Sequence, residues 1–270
     1  MATDDTTDID LTDPQSARAP WDHLGPDATR LFHVSDIHFG AEDREALDWF
    51  AGLVRDEKPH ALIFTGDVTM RARRHEFEAA SEWLEQFDMP VTVEVGNHDL
   101  PYHNPLLRFA APYKRYHRLE RLIERPLELD GISVVPLKTT ARFQWRLDWS
   151  KGYISEDGVV RAVEKARAVP DDHLIFVAAH HPLLPVEGAA GKGDTRRGPE
   201  ALDALTRVGV HAVLSGHVHD PFDEVHRAHG REVRLIGAGT LSERTRETQP
   251  SFNEIRVAGR KFETMARYLA

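Results

Sequence analysis

Seven polar side chains in five short segments have the types and spacing to bind two divalent metal ions. They are two carboxylates, one amide and four imidazoles, namely Asp36, His38, Asp67, Asn97, His180, His217 and His219. Oxygen and nitrogen donors of this kind suit borderline ions such as Mn²⁺, Fe²⁺ and Zn²⁺. Thiolate ligands are excluded, because the 270-residue chain contains no cysteine. The sequence therefore predicts a metal centre built from oxygen and nitrogen ligands.

Each of these segments follows a run typical of a buried strand, and the predicted runs are residues 31–35, 61–65, 91–95, 132–137, 174–179 and 212–215. Residues 42–57 and 74–87 carry apolar side chains at spacings of three and four, which predicts amphipathic helices that connect parallel strands. Shorter strands at 232–236, 252–257 and 260–266 predict antiparallel pairing near the end of the chain. The pattern indicates a mixed α/β layered fold with polar residues at strand ends.

Composition narrows the function classes. Hydrophobic residues make up 41% and charged residues 29% of the chain, which is enough for one large core, and the formal net charge is -10. A binder of polymeric nucleic acid needs a basic surface, so no polymeric nucleic acid is expected as a partner, whereas a small anion can still bind at a metal site. No apolar run approaches membrane-spanning length, and we expect a cytoplasmic protein. Residues 1–28 are predicted to be a flexible acidic tail, and residues 29–270 a single domain.

The order and wording of the five segments resemble the calcineurin-like metallophosphoesterases. The resemblance runs from Leu31 to about Val257, and it is most specific in TGDVTMRARRHEFEAA, VGNHDLPYHNP and GAGTLSERTRETQPSFNEI. These stretches resemble a compact bacterial branch that includes class III cyclic nucleotide phosphodiesterases. The resemblance implies a four-layer αββα sandwich, in which two mixed β-sheets are flanked by helices and the site lies on top.

The resemblance also assigns the ligands. It implies that one metal is held by Asp36, His38, His219 and a bridging Asp67, and the other by Asp67, Asn97, His180 and His217. A bridging carboxylate partly neutralises two cations that would otherwise repel each other. His217 and His219 are two residues apart and would not share a face of a straight strand, so we expect a turn there, permitted by Gly216.

In the reaction that the resemblance implies, a metal-bridging hydroxide attacks phosphorus and His98 protonates the leaving group as general acid. Asp99 is expected to orient the His98 imidazole. Purple acid phosphatases, which are relatives of the family, place a tyrosine ligand of ferric iron three residues after the bridging aspartate. Met70 stands there in this chain, which argues against a ferric tyrosinate site. Two divalent ions are expected, with Mn²⁺ or Fe²⁺ favoured over Zn²⁺.

Substrate contacts are less specific in the sequence. His181 adjoins a ligand and is assigned a hydrogen-bonding or substrate-facing role. His103 follows the GNHD segment and is either a substrate contact or part of a polar turn. Arg142 and Trp145 belong to an aromatic and basic stretch that either stacks on a nucleobase or packs as an ordinary loop. Arg196, after a Gly-rich segment, either meets an anion or lies in solvent.

The preferred function is hydrolysis of a cyclic nucleotide or another small phosphodiester. The alternatives are a phosphomonoesterase, a phosphonate hydrolase or a nucleotide-sugar-lipid pyrophosphatase on the same site. A non-catalytic scaffold with a metallophosphoesterase-like fold is an alternative of another class, and the retention of every ligand weighs against it. A homodimer is expected by analogy with the same branch.

Overall fold

A computed structural model of the protein describes residues 21–125, 127–141, 150–186 and 195–270. The strands in these ranges are β1 Thr29–Val34, β2 Ala61–Phe64, β3 Val91–Val93, β4 Ile132–Pro136, β5 Leu174–Ala178, β6 Ala212–His219, β7 Phe222–Ala228, β8 Arg231–Gly239, β9 Ser251–Ala258 and β10 Lys261–Tyr268. The α-helices are α1 Arg44–Glu57, α2 Arg74–Glu85, α3 Pro105–Ala110, α4 Lys114–Ile123, α5 Glu156–Arg167 and α6 Gly198–Arg207. None of the helices in the described ranges is long and apolar enough to cross a membrane.

The first sheet has the strand order β10-β9-β1-β2-β3. Strands β1, β2 and β3 are parallel, and helices α1 and α2 make the two crossovers between them. Asp43 caps the start of helix α1, because its side chain accepts a hydrogen bond from the Ala46 amide at 3.1 Å. The helix buries Leu47, Phe50 and Val54 against the sheet. Strand β9 pairs antiparallel with both β1 and β10. Strands β9 and β10 therefore lie in the same sheet as β1.

The second sheet has the strand order β4-β5-β6-β8-β7. Strands β4, β5, β6 and β8 are parallel, whereas β7 and β8 form an antiparallel hairpin. Helices α5 and α6 connect β4 to β5 and β5 to β6. Parallel strands direct their carboxyl ends to one edge of a sheet, so loops that leave β5 and β6 start from the same edge.

The apolar side chains form three buried layers. The layer between the sheets contains Leu31 and Ile63 of the first sheet and Phe176 and Leu214 of the second. On the outer face of the first sheet, α1 and α2 cover a cluster that includes Phe50. On the outer face of the second sheet, α5 and α6 cover a separate cluster. The order of layers is helices, sheet, sheet, helices, which confirms the predicted α/β sandwich of two mixed sheets.

The structure differs from the sequence expectation at both ends of the chain. Trp21 was placed in the flexible tail, but its side chain is 7% exposed and the Arg256 guanidinium lies 4.7 Å from its ring centre. The last part of the predicted tail therefore packs on β9, because an aromatic ring and a cation cover each other there. Strand β8 was expected to pair antiparallel, and it does so with β7, but it also pairs parallel with β6.

Candidate metal centre

The seven predicted ligands lie at the carboxyl ends of five parallel strands. Four of them follow β1, β2 and β3 of the first sheet, and three follow β5 or end β6 of the second. The two sheets pack face to face, so these ends meet above the layer that separates the sheets. The ligands that the structure brings together are Asp36, His38, Asp67, Asn97, His180, His217 and His219.

The backbone of these loops is unusual. Five of the seven residues have positive φ angles, and they are Asp36 at 55°, His38 at 52°, Asp67 at 51°, His217 at 69° and His219 at 70°. Left-handed backbone is disfavoured for residues with a Cβ, and such residues cluster at functional sites. Two left-handed residues two positions apart also explain how His217 and His219 both face the site. A register shift between Ser215 and His219 accompanies them in the pairing of β6 with β8.

The first ligand cluster contains Asp36, His38 and His219, all of them buried. The Nε2 atoms of the two histidines lie 3.2 Å apart, and His219 Nε2 lies 3.1 Å from Asp36 Oδ1. His219 Nδ1 lies 2.7 Å from the Arg244 carbonyl, which can only accept, so the proton of the neutral ring is on Nδ1. His219 Nε2 therefore presents a lone pair to the same point as Asp36 Oδ1.

The second cluster is centred on Asp67. Asp67 Oδ2 lies 3.3 Å from His180 Nε2 and 4.0 Å from His38 Nε2, so this carboxylate lies between the two clusters. His180 Nε2 also lies 3.1 Å from Asn97 Oδ1. The carbonyl of Thr65 accepts a hydrogen bond from His180 Nδ1 at 2.8 Å, which again leaves Nε2 facing the site.

His217 completes the second cluster from the side of the second sheet. The centre of its ring lies 5.3 Å from that of His180, and its backbone amide donates to Asp36 Oδ2 at 2.8 Å. The Asp36 carboxylate thus accepts a hydrogen bond from the His217 backbone with Oδ2, and its Oδ1 faces the first cluster.

Two glycines keep the clusters close together by having no Cβ. A Cβ at Gly66 would lie 2.7 Å from His180 Nδ1, and one at Gly216 would collide with Ser35 Oγ and lie 2.5 Å from Asp36 Oδ2. We expected Gly216 to supply the turn between the two histidines. The histidines themselves adopt the left-handed conformation instead, and Gly216 is needed because it leaves room for the Asp36 carboxylate.

Electrostatics in the protein alone favours a cation at this place. Burial would raise the pKa values of Asp36 and Asp67, but the imidazoles around them hold both well below the usual range. Burial would likewise lower the pKa of His180, yet the Asp67 carboxylate raises it to about 9. A proton on His180 thus balances the buried carboxylate charge. A divalent ion would supply the same charge, so protons and metal compete for these ligands.

Two buried polar atoms of the first cluster also lack hydrogen-bond partners in the protein. Within the described part of the chain, Asp36 Oδ1 and His38 Nδ1 are buried without a hydrogen bond. A buried carboxylate oxygen without a partner is costly unless an ion binds it. Burial lowers the pKa of His38, and it lowers that of His217 to about 4, so both rings are neutral and have lone pairs available. The residues present therefore fit two divalent ions.

His98 lies beside the first cluster. Its ring centre is 4.9 Å from that of His38, and its backbone amide donates to Asp67 Oδ1 at 2.7 Å. His98 Nδ1 lies 2.7 Å from the Met70 carbonyl, which accepts only, so Nδ1 carries a proton and Nε2 faces the site. The contact with Met70 replaces the contact that we expected with Asp99.

Asp99 has a different environment from the expected one. Its carboxylate accepts hydrogen bonds from the Thr69 amide and hydroxyl, both at 2.9 Å, and from the Gly96 amide at 2.9 Å. Burial and the nearby Asp67 charge raise the pKa of Asp99 to about 7. Asp99 therefore joins the loop after β2 to the loop after β3, and it positions the ligands on both loops.

His181 is buried and makes hydrogen bonds within the protein. Its Nε2 lies 2.9 Å from the Ser150 carbonyl, and its Nδ1 lies 2.9 Å from Thr139 Oγ1. Both ring nitrogens therefore have hydrogen-bond partners among protein oxygens. The ring nevertheless lies close enough to His180 and His217 for the three histidines to form a third group that could hold a metal ion. The hydrogen-bonding role expected for His181 agrees with these contacts.

The remaining substrate candidates differ in their placement. His103 is exposed, and its ring centre lies 3.9 Å from that of Tyr102, which in turn lies 6.1 Å from His98. The Arg196 guanidinium lies 5.8 Å from the Tyr153 ring centre. Arg142 and Trp145 lie outside the described residues. His103 is therefore connected to His98 through the ring of Tyr102, which lies between them in this chain of ring contacts.

One residue of the site was missed by the sequence reasoning. Arg244, in the loop between β8 and β9, extends its guanidinium to within 3.2 Å of His38 Nε2 and 3.1 Å of His98 Nε2. Its segment belongs to the stretch that carried the family resemblance, but no role was assigned to any residue there. The available signal was two arginines, Arg244 and Arg246, in a polar loop between strands.

Comparisons with known proteins identify the family of this chain. The calcineurin-like phosphoesterase family matches residues 29–221. A probable cyclic nucleotide phosphodiesterase of Rhodococcus erythropolis is 26% identical over 213 residues, which cover 70% of this chain and 64% of that protein. The glycerophosphodiester phosphodiesterase GpdQ of Enterobacter lignolyticus is 24% identical over 177 residues, which cover 59% of this chain and 59% of that protein.

A solved structure shares the fold. A dimetal phosphatase from Danio rerio superposes with a TM-score of 0.62 at 13% identity, and the match covers 90% of this chain and 100% of that one. The family match spans most of the chain and includes the strand-end segments as far as His219. The chain therefore belongs to the calcineurin-like phosphoesterase family and is a metal-dependent phosphoric ester hydrolase.

Proposed function

We propose that the protein hydrolyses small phosphodiesters, with cyclic nucleotides as the nearest substrate class, at a centre of two divalent ions. The observation that carries the proposal is the position of Asp67, whose carboxylate lies between two groups of donor atoms that face each other across the two sheets. The names of the relatives, probable cyclic nucleotide phosphodiesterase and glycerophosphodiester phosphodiesterase, support diesters as substrates.

The metal ions, when bound, would polarise the phosphoryl group and supply a nucleophile at neutral pH. We assign the first ion to Asp36, His38, Asp67 and His219, and the second to Asp67, Asn97, His180 and His217. The Arg244 and Thr65 carbonyls fix the rings of His219 and His180 by accepting their Nδ1 protons. These contacts hold the ligand geometry before the substrate arrives.

His98 is assigned the transfer of a proton to the leaving group. The Met70 carbonyl holds the Nδ1 proton and directs Nε2 into the site, where it takes up a proton and donates it to the leaving oxygen. The position of the ring beside His38 places it at the edge of the first cluster, outside the ligand set. Asp99 supports this step indirectly, because it joins the two loops that carry Asp67 and His98.

The test is turnover of a substrate panel together with elemental analysis. The panel contains bis-p-nitrophenyl phosphate, p-nitrophenyl phosphate, an aryl phosphonate, a pyrophosphate diester and 2′,3′- and 3′,5′-cyclic nucleotides. We expect two metal ions per chain and a preference for diesters. A preference for the monoester, the phosphonate or the pyrophosphate would replace the proposed substrate class, and metal-free protein without turnover would favour a scaffold.

Asp67→Asn connects the activity to the site. The variant keeps the shape of the side chain but removes the charge between the two clusters, so we expect metal content and turnover to fall together, with turnover reduced at least roughly 100-fold. Asp203→Asn is a control, because the Asp203 side chain on helix α6 is 50% exposed and pairs with His229 and Arg207, which are not candidate ligands. Unchanged turnover in Asp67→Asn would refute the assignment.

A further inference from the structure

Arg244 places a permanent positive charge at a centre whose other groups are arranged for cations. Its Nη1 atom lies 3.2 Å from His38 Nε2, 3.1 Å from His98 Nε2 and 3.8 Å from Met70 Sδ. A guanidinium only donates hydrogen bonds and remains protonated at any ordinary pH. In the described part of the chain, no carboxylate forms an ion pair with Arg244. Among these residues the guanidinium therefore has no direct carboxylate partner, and the Asp36 and Asp67 carboxylates lie beyond His38 Nε2, at 3.5 and 4.0 Å from that atom.

The loop that carries Arg244 is fixed to the metal ligands. The Arg244 carbonyl accepts from His219 Nδ1 at 2.7 Å, and its amide donates to Ser242 Oγ at 3.3 Å. Ser242 Oγ lies 2.7 Å from Thr240 Oγ1, which donates to the Asp36 carbonyl at 2.6 Å. The backbone that presents the guanidinium is thus held by two ligand segments. Its approach to His38 and His98 is built into the fold of this loop.

Occupation of the first cluster by a metal ion changes what Arg244 can contact. The lone pair of His38 Nε2 would then be used by the ion, and the guanidinium would lose this acceptor. A divalent ion and a guanidinium also repel each other unless an anion lies between them. A phosphoryl group has oxygens for both, and planar guanidinium groups bind phosphate oxygens through paired hydrogen bonds.

We infer that Arg244 is a phosphate-binding residue, which holds a non-bridging oxygen of the substrate phosphoryl group between the first metal cluster and His98. The inference rests on the proposed function, because it specifies how the same site binds its substrate. Arg244 then places the phosphoryl group beside His98 Nε2, and it neutralises charge on the oxygen that the metals do not contact. It takes no part in proton transfer.

Orthophosphate binding to the Mn²⁺-loaded protein tests this inference without requiring turnover. Isothermal titration would compare wild type with Arg244→Gln and Arg244→Lys, and elemental analysis would give the metal content of each. We expect the glutamine variant to bind phosphate about 10- to 100-fold more weakly and to raise the KM for bis-p-nitrophenyl phosphate, since a charged hydrogen bond is lost. The lysine variant keeps the charge but not the planar donor group. Its reduction in phosphate affinity should be about half that of the glutamine variant on a logarithmic scale.

Arg246→Gln is the matched control, because Arg246 lies in the same loop and carries the same charge near the Asp36 carboxylate, but among the described residues no hydrogen bond joins it to His38 or His98. Its loss should change phosphate affinity by less than about threefold, since an exposed charge is screened. Both Arg244 variants should retain wild-type metal content or exceed it, because the Arg244 carbonyl that orients His219 is unchanged and a nearby positive charge is reduced or repositioned.

Three results would overturn the inference. Unchanged phosphate affinity in Arg244→Gln would show that the guanidinium does not contact the anion. An equal loss in Arg246→Gln would show a general effect of charge. Loss of metal from both Arg244 variants would show that the side chain supports the ligands instead. Wild-type protein that binds phosphate through Arg244 but hydrolyses no diester would refute the proposed function and leave this inference standing.

Discussion

Replacement of Gly66 by alanine should separate the two halves of the metal centre. Gly66 has a φ angle of 103°, and an added Cβ would lie 2.7 Å from His180 Nδ1 and 2.8 Å from the Gly96 amide nitrogen. The Gly96 backbone cannot move without moving Asn97, so the new methyl group must displace His180 or separate the two loops. Both movements disrupt the second cluster. The three atoms nearest to the added methyl group belong to His180 and Gly96, and none belongs to Asp36, His38 or His219.

The size of the effect follows from two contributions. Left-handed backbone at a residue with a Cβ costs about 1–2 kcal/mol. Loss of the hydrogen bond from His180 Nδ1 to the Thr65 carbonyl, now 2.8 Å, costs about 0.5–1.5 kcal/mol. Replacement of glycine restricts the unfolded chain and returns about 0.4–1 kcal/mol. The metal-free variant should therefore be about 0.5–3 kcal/mol less stable than wild type.

Elemental analysis and thermal unfolding of metal-free protein would measure both effects. We expect Gly66→Ala to retain about one ion per chain where wild type binds two, and to lose most of its activity because the second set of ligands is displaced. The melting temperature should fall by about 2–4 °C for each kcal/mol lost, as is usual for chains of this size.

Gly230→Ala is the matched control, because Gly230 has a φ angle of 70° and a Cβ there would have no atom within 4 Å. This variant should show the backbone cost alone, with full metal content and activity. Gly66→Ala with two ions per chain and normal turnover would refute the reasoning, because the loops would then tolerate a side chain where the structure leaves no room for one.

Two further variants test other groups. Glu94 is buried, and burial followed by the charges of Glu124 and Glu120 raises its pKa from 4.5 to about 8. The stability that the protonated Glu94 gives to the fold is complete below about pH 4.5 and is lost as pH rises through 8. Glu94→Gln should therefore become more stable relative to wild type between pH 5 and 9. The difference in the free energy of unfolding, measured in urea, should reach about 4 kcal/mol. Parallel pH profiles would contradict this. His98→Gln should slow diesters with poor leaving groups by roughly 100-fold, but activated aryl diesters far less, since these need little protonation. Equal losses on both would argue against proton transfer by His98.

The sequence predicted that the candidate ligands lie together, because their signal is local. Each ligand segment follows a short apolar run, and apolar runs of that length separated by amphipathic helices indicate parallel strands. Parallel strands fix the edge at which Asp36, Asp67 and His180 emerge, so proximity follows from the order of elements. Both predicted crossover helices were confirmed as α1 and α2, with ends within two residues of the expected positions.

The contacts that were not predicted depend on tertiary geometry. The left-handed conformation of His217 and His219 cannot be predicted from the histidines, since most histidines have a negative φ even though they enter the left-handed region more often than other side chains. Asp99 follows His98 directly, which suggested a contact, but the turn carries its carboxylate away to Thr69 and Gly96. Arg244 reaches the site from a loop 25 residues after His219, and the residues around it show no pattern that would predict its contacts with His38 and His98.

The five left-handed ligands also restrict how this centre can change by mutation. Asparagine, aspartate and histidine enter that conformation more readily than other side chains, and β-branched residues are strongly disfavoured there. A single substitution at Asp36, His38 or His219 therefore disturbs the loop least when it exchanges one of these side chains for another, or gives glycine. Threonine and valine are excluded by the main chain before any question of metal affinity arises. The backbone conformation of these loops thus favours side chains of the same types that bind divalent ions.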